Sequence, residues 1–410
     1  EGRSALITNV PEPGLAEKIL EERDAYLADK KASMTEEEIQ MLIQDTKKFR
    51  EWNEAEGSNR DFIIDPSDIP DEEPFTDYKK VEGDGVSYYM APAEVEKVGK
   101  YRLYLDISDL SDEEQMDLGL FSMLAGKMGT RDHSLEEILN LKSEFLYSYN
   151  MDCLYPDGED AYPMLQLSWI TLTEDYEAGV TLLMELLGST DFTDTKRIQE
   201  LLVRETDSFD LSRAADMLNV ARDLAAPYIY RNYAYQEAYR GQEFYYYLEE
   251  IKNRLEEDGS YGAVLAERLQ SVSDKLMKKG RLVWMCAAPE EDLERIRTVS
   301  AGLLEVLPFK KAGESLITLP QKVQKRAAIL ESSDQYTVMV GNCYENEGFY
   351  GKYIPFLMAA SDRYTIPKLR FQMGAYSAGI NFTAYSGAML MYSYSDPNAA
   401  QTVNIFEGTA

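Results

Sequence analysis

The sequence predicts an α+β fold made of two related units of mixed β-sheet and helices, the second incomplete, preceded by a helical hairpin. Apolar residues make up 44% of the 410 residues, which is enough to bury sizeable cores. From Val86 onwards, short β-forming runs alternate with longer stretches of helical periodicity. The same order of strand and helix recurs late in the chain, which predicts an internal repeat.

The first 74 residues predict connecting structure. Within residues 1–14, a short strand over residues 4–10 would be the remnant of a preceding domain. Residues 15–74 predict a helical hairpin followed by an acidic, proline-rich linker. We expect the second helix of the hairpin to begin at Thr35, because Glu38 follows at the spacing of a capping box.

Residues 75–308 predict the first and complete unit. We expect strands at 86–90, 101–107, 165–171 and 281–287, and helices at 109–127, 135–146, 176–187, 195–222, 242–257 and 290–307. Ser111 and Glu114 predict a capping box at the first of these helices.

Residues 309–410 predict a partial second unit. We expect a strand over 336–340, a helix over 350–361 and an alternating hairpin over 375–394. A shift of 235 residues places Tyr101 on Tyr336, strand on strand and helix on helix. The same shift pairs four further identities: Phe121, Met123, Ala125 and Thr130 with Phe356, Met358, Ala360 and Thr365. We expect this unit to be incomplete, because about 100 residues do not suffice for a second full copy.

Charge and cysteine content exclude several classes of protein. The net charge of −31 opposes binding to nucleic acid or to an anionic membrane, and favours cationic partners unless it serves only to keep the protein in solution. No apolar run approaches the roughly 18 residues of a membrane span, and no secretory leader is visible, so we expect a cytoplasmic protein. Cys153, Cys286 and Cys343 are far apart and odd in number, which predicts reduced, buried thiols.

The residues of common catalytic sites are missing from the sequence. His133 is the one histidine, whereas a zinc site of the His-Glu-x-x-His type or its inverted form needs two on one helical face. The cysteines form no Cys-x-x-Cys pair, and no glycine-rich phosphate loop is present. His133 stands in a predicted surface turn before a helix, where we expect a capping or solvated role. We therefore predict no metal site and no catalytic residue in this chain.

Several segments resemble, in order and spacing, the C-terminal half of one enzyme family. The terminal segments are Arg370-Phe371-Gln372-Met373-Gly374-Ala375-Tyr376, Tyr394-Ser395-Asp396-Pro397-Asn398 and Gly408-Thr409-Ala410. The earlier ones are Ala32-Ser33-Met34-Thr35-Glu36-Glu37-Glu38, Pro66-Ser67-Asp68-Ile69-Pro70 and Gly241-Gln242-Glu243-Phe244-Tyr245. Together they resemble the presequence proteases, subfamily C of the M16 (pitrilysin/insulinase) zinc metallopeptidases, over essentially the whole chain.

The resemblance implies domains of the LuxS/M16 peptidase-like fold. Such enzymes have four related domains in two halves that close around an unfolded peptide, and zinc is bound only in the first domain, which this chain lacks. The zinc helix of the family carries His-x-x-Glu-His and ends in Gly-Thr. Aligning that end with Gly129-Thr130 places Leu120, Met123 and Leu124 where the ligands and the base would be. The helix is then retained as a packing element without its chemistry.

The resemblance also implies a role for Arg370 and Tyr376. In the family this pair reaches across the closed chamber and contacts the substrate carbonyl. A guanidinium and a phenol are strong hydrogen-bond donors, and donors near a developing oxyanion stabilise it. From the residues alone, the alternative is a surface arginine and one of 29 tyrosines in a packed sheet. The tyrosine-rich stretch 228–247 also allows two interpretations. Its side chains either line a chamber for peptides or pack between helices.

The predicted function is that of a non-catalytic, substrate-binding C-terminal half of a zinc-dependent oligopeptidase or endopeptidase that degrades unstructured peptides in a closed chamber. The expected partners are a peptide substrate and the N-terminal catalytic half, which would hold the zinc; the chain alone is expected to be inactive. The alternative is a stand-alone peptide-binding or scaffold protein made of degenerate peptidase domains. A His-x-x-Glu-His motif upstream in the same reading frame would distinguish the two.

Overall fold

The computed structural model divides the chain into two compact units, Glu1–Phe75 and Thr76–Ala410. The predicted strand over residues 4–10 and most of the linker lie outside the residues that the structure describes. The described residues are 13–54, 66–68, 70, 77–83, 85–156, 161–311, 313–320, 326–330, 334–344, 351–384 and 386–409.

The first unit contains the two predicted helices, α1 (Leu15–Ser33) and α2 (Glu36–Glu54). The capping box is present, because the Thr35 amide donates to Glu38 Oε2 at 2.8 Å and the Glu38 amide donates to Thr35 Oγ1 at 3.3 Å. Most apolar side chains of α2, including Trp52, are exposed, while Ile39 is half-buried. A 3₁₀ turn follows at Pro66–Asp68.

The second unit is built on a six-stranded mixed sheet. Its strands are β1 (Lys79–Gly83), β2 (Val86–Pro92), β3 (Val98–Asp106), β4 (Ser148–Leu154), β5 (Met164–Leu172) and β6 (Leu282–Ala288). They lie in the order β1-β2-β6-β3-β5-β4, with β2 and β6 parallel and the other pairs antiparallel. Residues on β5 and β6 alternate between buried and half-buried, because one face of the sheet packs on helices.

Nine helices pack on this sheet and on one another within the described residues. They are α3 (Asp112–Leu124), α4 (Leu135–Phe145), α5 (Tyr176–Gly188), α6 (Thr195–Ala215), α7 (Met217–Ala225), α8 (Arg231–Arg240), α9 (Gln242–Glu257), α10 (Tyr261–Leu276) and α11 (Glu290–Glu305). The prediction of one helix over 195–222 is wrong. The chain leaves helical geometry at Asp216, whose side chain accepts a hydrogen bond from the Asn219 amide at 3.3 Å and so caps α7.

A three-stranded antiparallel sheet follows with its own small core. Its elements are β7 (Thr337–Asn342), α12 (Tyr353–Ala360), a π-helical segment (Pro367–Gln372), β8 (Ser377–Thr383), β9 (Ala388–Tyr394) and α13 (Ala399–Glu407). The strand order is β7-β9-β8. Five residues form the buried core: Leu369, Ala375, Ala378, Met391 and Phe406.

The two sheets share a topology. The order β3-β5-β4 in the first sheet matches β7-β9-β8 in the second, and all these pairs are antiparallel. Tyr101 stacks on Trp169 with ring centroids 5.4 Å apart, and Tyr336 meets Tyr394 at 4.7 Å. This correspondence supports the internal repeat, while the boundaries at 75–308 and 309–410 stay predictions.

The three cysteines are free thiols in the structure. Cys153 and Cys286 are free and buried, and Cys343 is free and half-buried. Burial raises the pKa of the Cys286 thiol to about 12, which keeps it protonated and unreactive at neutral pH. None of the helices within the described residues is both long and apolar enough to cross a membrane.

Candidate functional site

Arg370 and Tyr376 lie on either side of one tight connection. The π-helical segment carries Arg370, and β8 begins directly after Tyr376. The chain reverses at Gly374, whose φ of 86° lies in the left-handed region that glycine adopts without strain. The Ala375 amide donates to the Leu369 carbonyl oxygen at 2.9 Å, and Leu369 is fully buried. Both candidate side chains therefore stand on a short, hydrogen-bonded turn anchored in the small core.

Tyr376 is 70% exposed but is anchored at its base. Its amide donates to the Tyr394 carbonyl oxygen at 3.0 Å, and the two ring centroids are 5.8 Å apart. Tyr394 in turn meets Tyr336 edge to face. A phenol presented to solvent from a fixed backbone is able to donate a hydrogen bond to a ligand without first being freed from an internal partner.

Arg370 is exposed next to an exposed aromatic residue. Its guanidinium carbon lies 5.7 Å from the ring centroid of Phe371. Within the described part of the chain, its guanidinium forms no ion pair with a carboxylate. Its donors are therefore open to a ligand oxygen, and the planar fork suits a carbonyl or carboxylate.

A second sequence motif, which contains Asp396 and Asn398, contacts the turn between Arg370 and Tyr376. Asn398 Nδ2 donates to the Met373 carbonyl oxygen at 2.9 Å, which ties the turn to the segment after β9. Asp396 is buried and orders that segment, because its carboxylate accepts from the Asn398 amide at 2.8 Å and from Thr402 Oγ1 at 2.5 Å. Two of the three terminal motifs that carry the resemblance thus contact each other in the structure.

The helix α3 carries apolar residues at the positions aligned with a zinc motif. Leu120, Met123 and Leu124 are all buried in the main core. Within the described residues there is no group of three or more His, Cys, Asp and Glu side chains that could hold a metal ion. These three aligned side chains therefore do not fit zinc, since they offer no nitrogen, thiolate or carboxylate donor.

His133 has a partner that the sequence did not reveal. Its ring Nδ1 lies 2.9 Å from Glu185 Oε1 on α5, and this hydrogen bond raises the pKa of the imidazole. The predicted surface turn before α4 is present, but the cap of α4 is the adjacent Ser134, which accepts from the Glu137 amide. The expected capping role is therefore wrong, and the ring is paired instead of only solvated. The pair links the start of α4 to α5 and points to a structural role.

The tyrosine-rich stretch mostly packs between helices. Its members are Tyr228, Tyr230, Tyr233, Tyr235, Tyr239, Tyr245, Tyr246 and Tyr247. Four are buried, at positions 230, 235, 239 and 247, while Tyr246 is exposed. The Tyr230 hydroxyl donates to the Gly341 carbonyl oxygen, so it joins the helical layer to β7. Packing therefore explains most of the tyrosine content here.

A cavity of about 520 Å³ opens against the last turns of α3. It is lined by residues of α3, α4, β4, α6, α8 and α9, with two lysines, Lys127 and Lys142, among them. Sequence reasoning did not identify it. Its polar residues come from separate elements, and no local spacing connects Lys142 with Glu205 or Arg240.

The fold and these residues define the class of the protein, a chain of peptidase-like fold in which apolar residues of α3 occupy the positions aligned with a zinc motif. The chain belongs to the family described as associated with subfamily C of the M16 peptidases, whose model matches residues 10–251. It is similar to the C-terminal region of presequence proteases.

Three curated relatives illustrate the match. Protein HypA of Clostridium perfringens is 20% identical over 98% of this chain and 42% of its own length. Presequence protease 1 of Arabidopsis thaliana is 21% identical over 97% of this chain and 38% of its own. The mitochondrial presequence protease of Aspergillus oryzae is 26% identical over 73% of this chain and 30% of its own. The chain thus spans about two fifths or less of the length of these relatives.

Among solved structures, a conserved protein from Enterococcus faecalis has a similar fold. It superposes with a TM-score of 0.57 at 14% identity, covering 81% of this chain and 79% of that one. An identity this low supports the fold only. The α+β, M16-peptidase-like architecture predicted from the sequence is confirmed.

Proposed function

We propose that this chain is the substrate-binding, non-catalytic C-terminal half of a zinc-dependent endopeptidase that degrades unstructured peptides inside a closed chamber. The observation that carries the proposal is the exposed pair Arg370 and Tyr376 on one rigid turn, in a chain that belongs to a peptidase-associated family. The buried Leu120, Met123 and Leu124 support the non-catalytic assignment, because these three side chains have no metal-binding atom.

Arg370 and Tyr376 would act as hydrogen-bond donors to the substrate backbone. In the closed enzyme, the guanidinium and the phenol would donate to the carbonyl oxygen of the bond being cleaved. That oxygen gains negative charge as the tetrahedral intermediate forms, so both hydrogen bonds strengthen towards the transition state. The zinc ion of the N-terminal half would supply the activated water. This chain's contribution is to bind, orient and stabilise charge.

The complete reading frame and the isolated chain provide the first test. We expect an upstream His-x-x-Glu-His motif, and we expect the isolated chain to hold no stoichiometric zinc by elemental analysis and to cleave no peptide. One equivalent of tightly bound zinc, with proteolysis that a chelator abolishes, would overturn the assignment of this half as non-catalytic.

The stand-alone alternative makes a different prediction. If the complete reading frame has no zinc motif, a peptide-binding or scaffold protein of degenerate peptidase domains is favoured. Binding of an unfolded peptide to the isolated chain, measured by calorimetry, is expected under both functions. Absence of any peptide binding would count against both.

A further inference from the structure

The cavity beside α3 contains a lysine whose charge is not neutralised by an ion pair. The Lys142 ammonium donates to the Gly126 carbonyl oxygen at 2.8 Å and lies 5.3 Å from the ring centroid of Tyr149. Among the described residues it forms no ion pair with a carboxylate. Burial, assisted by repulsion from Lys127, lowers the pKa of Lys142, as expected for a cation that lacks a counter-ion.

The other cations of the cavity already have partners. Lys127 lies 3.7 Å from Glu205, and Arg240 lies 3.2 Å from Asp152. Three cations therefore stand against two carboxylates, and the excess charge belongs to Lys142. Although the whole chain carries a net charge of −31, this cavity is locally positive. Such a site attracts an anionic group because the low-dielectric walls strengthen its field.

A second donor in the cavity wall is unused. Within the described structure the Tyr149 hydroxyl is buried and has no hydrogen-bond partner. Burial raises the pKa of this phenol, so it remains a protonated donor. An unpaired buried hydroxyl destabilises a fold and calls for a partner such as a ligand oxygen. Lys142 and Tyr149 thus offer two donors from neighbouring elements to one acceptor.

The remaining walls favour an extended peptide. Met123, Phe209 and Phe244 supply apolar surface. Residues 149–151 of β4 also line the cavity, and among the described strands β4 is the outermost of its sheet, with β5 as its one partner. The Cys153 carbonyl oxygen of β4 accepts a hydrogen bond from Gln236 Nε2, so an added chain would pair with the edge backbone at residues 149–151 instead.

We propose that this cavity binds a carboxylate of an extended peptide, with the Lys142 ammonium and the Tyr149 hydroxyl as its donors. The carboxylate comes from an Asp or Glu side chain or from the free C-terminus. The inference rests on the proposed peptide-binding function and adds to it a subsite with a charge preference, separate from Arg370 and Tyr376.

Calorimetric titration of the chain with four unlabelled peptides tests the subsite. Each peptide is an acetylated octapeptide of alanine, serine and leucine. The four peptides combine Glu or Gln at the centre with a free or an amidated C-terminus. We expect at least one carboxylate form to bind about tenfold more tightly than the fully neutral peptide, the effect of a hydrogen-bonded charge pair. Comparison of the central Glu peptide with the free C-terminal peptide shows whether the cavity binds a side-chain carboxylate or a terminal one.

Two variants and a control locate the effect. Lys142→Met should abolish the preference for a carboxylate, whereas Lys196→Met, an exposed lysine on α6, should leave it intact. Tyr149→Phe should weaken carboxylate binding about threefold while the neutral peptide is unaffected. This conservative variant keeps the test decisive if Lys142→Met does not fold, as judged from its circular dichroism.

The outcomes are distinguishable. Equal affinity of the wild-type chain for all four peptides would overturn the subsite and leave peptide binding standing. A preference that survives in both variants would also overturn it. If no peptide binds, the proposed function fails as well.

Discussion

Arg268 forms a bidentate ion pair with Asp117, with Nη2 to Oδ1 at 2.8 Å and Nε to Oδ2 at 3.1 Å. The Asp117 side chain is only 2% exposed, and the Tyr247 hydroxyl also donates to it. The pair joins α10 to α3, the helix whose aligned metal positions are apolar. A buried, hydrogen-bonded carboxylate thus helps to hold the packed helix in place.

Removing that carboxylate should be costly. We expect Asp117→Ala to lower the free energy of unfolding by about 2–4 kcal/mol, because it leaves Arg268 and the Tyr247 hydroxyl without their acceptor. Glu113→Ala is the matched control, since Glu113 is exposed and lies 3.4 Å from the same guanidinium; its cost should stay below about 1 kcal/mol. Urea unfolding measures both. Equal losses of unfolding free energy in the two variants would contradict a stabilising role of the buried Asp117 carboxylate.

Glu237 should make stability depend on pH. Burial raises the pKa of this carboxyl to about 7, above its usual 4.5, so the folded state holds its proton more tightly than the unfolded state does. Its contribution is therefore fully present below about pH 4.5 and is lost as the pH rises towards 7. Between pH 4.5 and pH 8, we expect the wild type to lose about 3 kcal/mol of unfolding free energy relative to Glu237→Gln, whose amide does not titrate.

The amide should be tolerated in place of the carboxyl. Glu237 Oε1 accepts a hydrogen bond from the Glu243 amide at 2.9 Å, and the carbonyl oxygen of glutamine can do the same. Other titrating groups affect both proteins alike and cancel in the comparison. A difference that does not change with pH would show that Glu237 titrates normally.

Tyr230 should stabilise the packing of the three-stranded sheet on the helical layer. Its hydroxyl donates to the Gly341 carbonyl oxygen and accepts from the Met389 amide at 3.3 Å. We expect Tyr230→Phe to lower stability by about 1–3 kcal/mol and to speed hydrogen exchange in β7 and β9 more than in β3 and β5. Tyr246→Phe, at an exposed position, should change neither.

Arg370 and Tyr376 should matter for turnover and not for folding. Both are exposed, so Arg370→Ala and Tyr376→Phe should shift the unfolding free energy by less than about 0.5 kcal/mol. In the full-length enzyme, each should lower kcat by on the order of 10²–10³, or less where the other donor compensates. Arg370→Lys should rescue only partly, because it lacks the planar fork.

Turnover and melting temperature measured on the same preparations separate the two roles. A residue that only packs would lower the melting temperature and leave turnover per folded molecule nearly normal. Wild-type turnover in both single variants would remove this pair from the proposed site.

The capping boxes and the short strands were predictable because their signals are local. Ser111 with Glu114 marks the start of α3, and α9 begins directly after Gly241, as expected from adjacent residues. The strand β4 and the helix α8 were missed. Polar residues interrupt β4, which is stabilised by its pairing with β5, and α8 is rich in β-forming tyrosines that become helical through packing on α3 and α9.

The sequence by itself determined the fold class, the absence of a two-histidine motif and the identity of the three terminal motifs, because composition and spacing express these directly. Only the tertiary structure decided that Asn398 reaches the Met373 carbonyl, that His133 pairs with Glu185, and that a cavity forms beside α3. These features join residues from separate elements. Their proximity arises from burial and chain reversal, which no local pattern records.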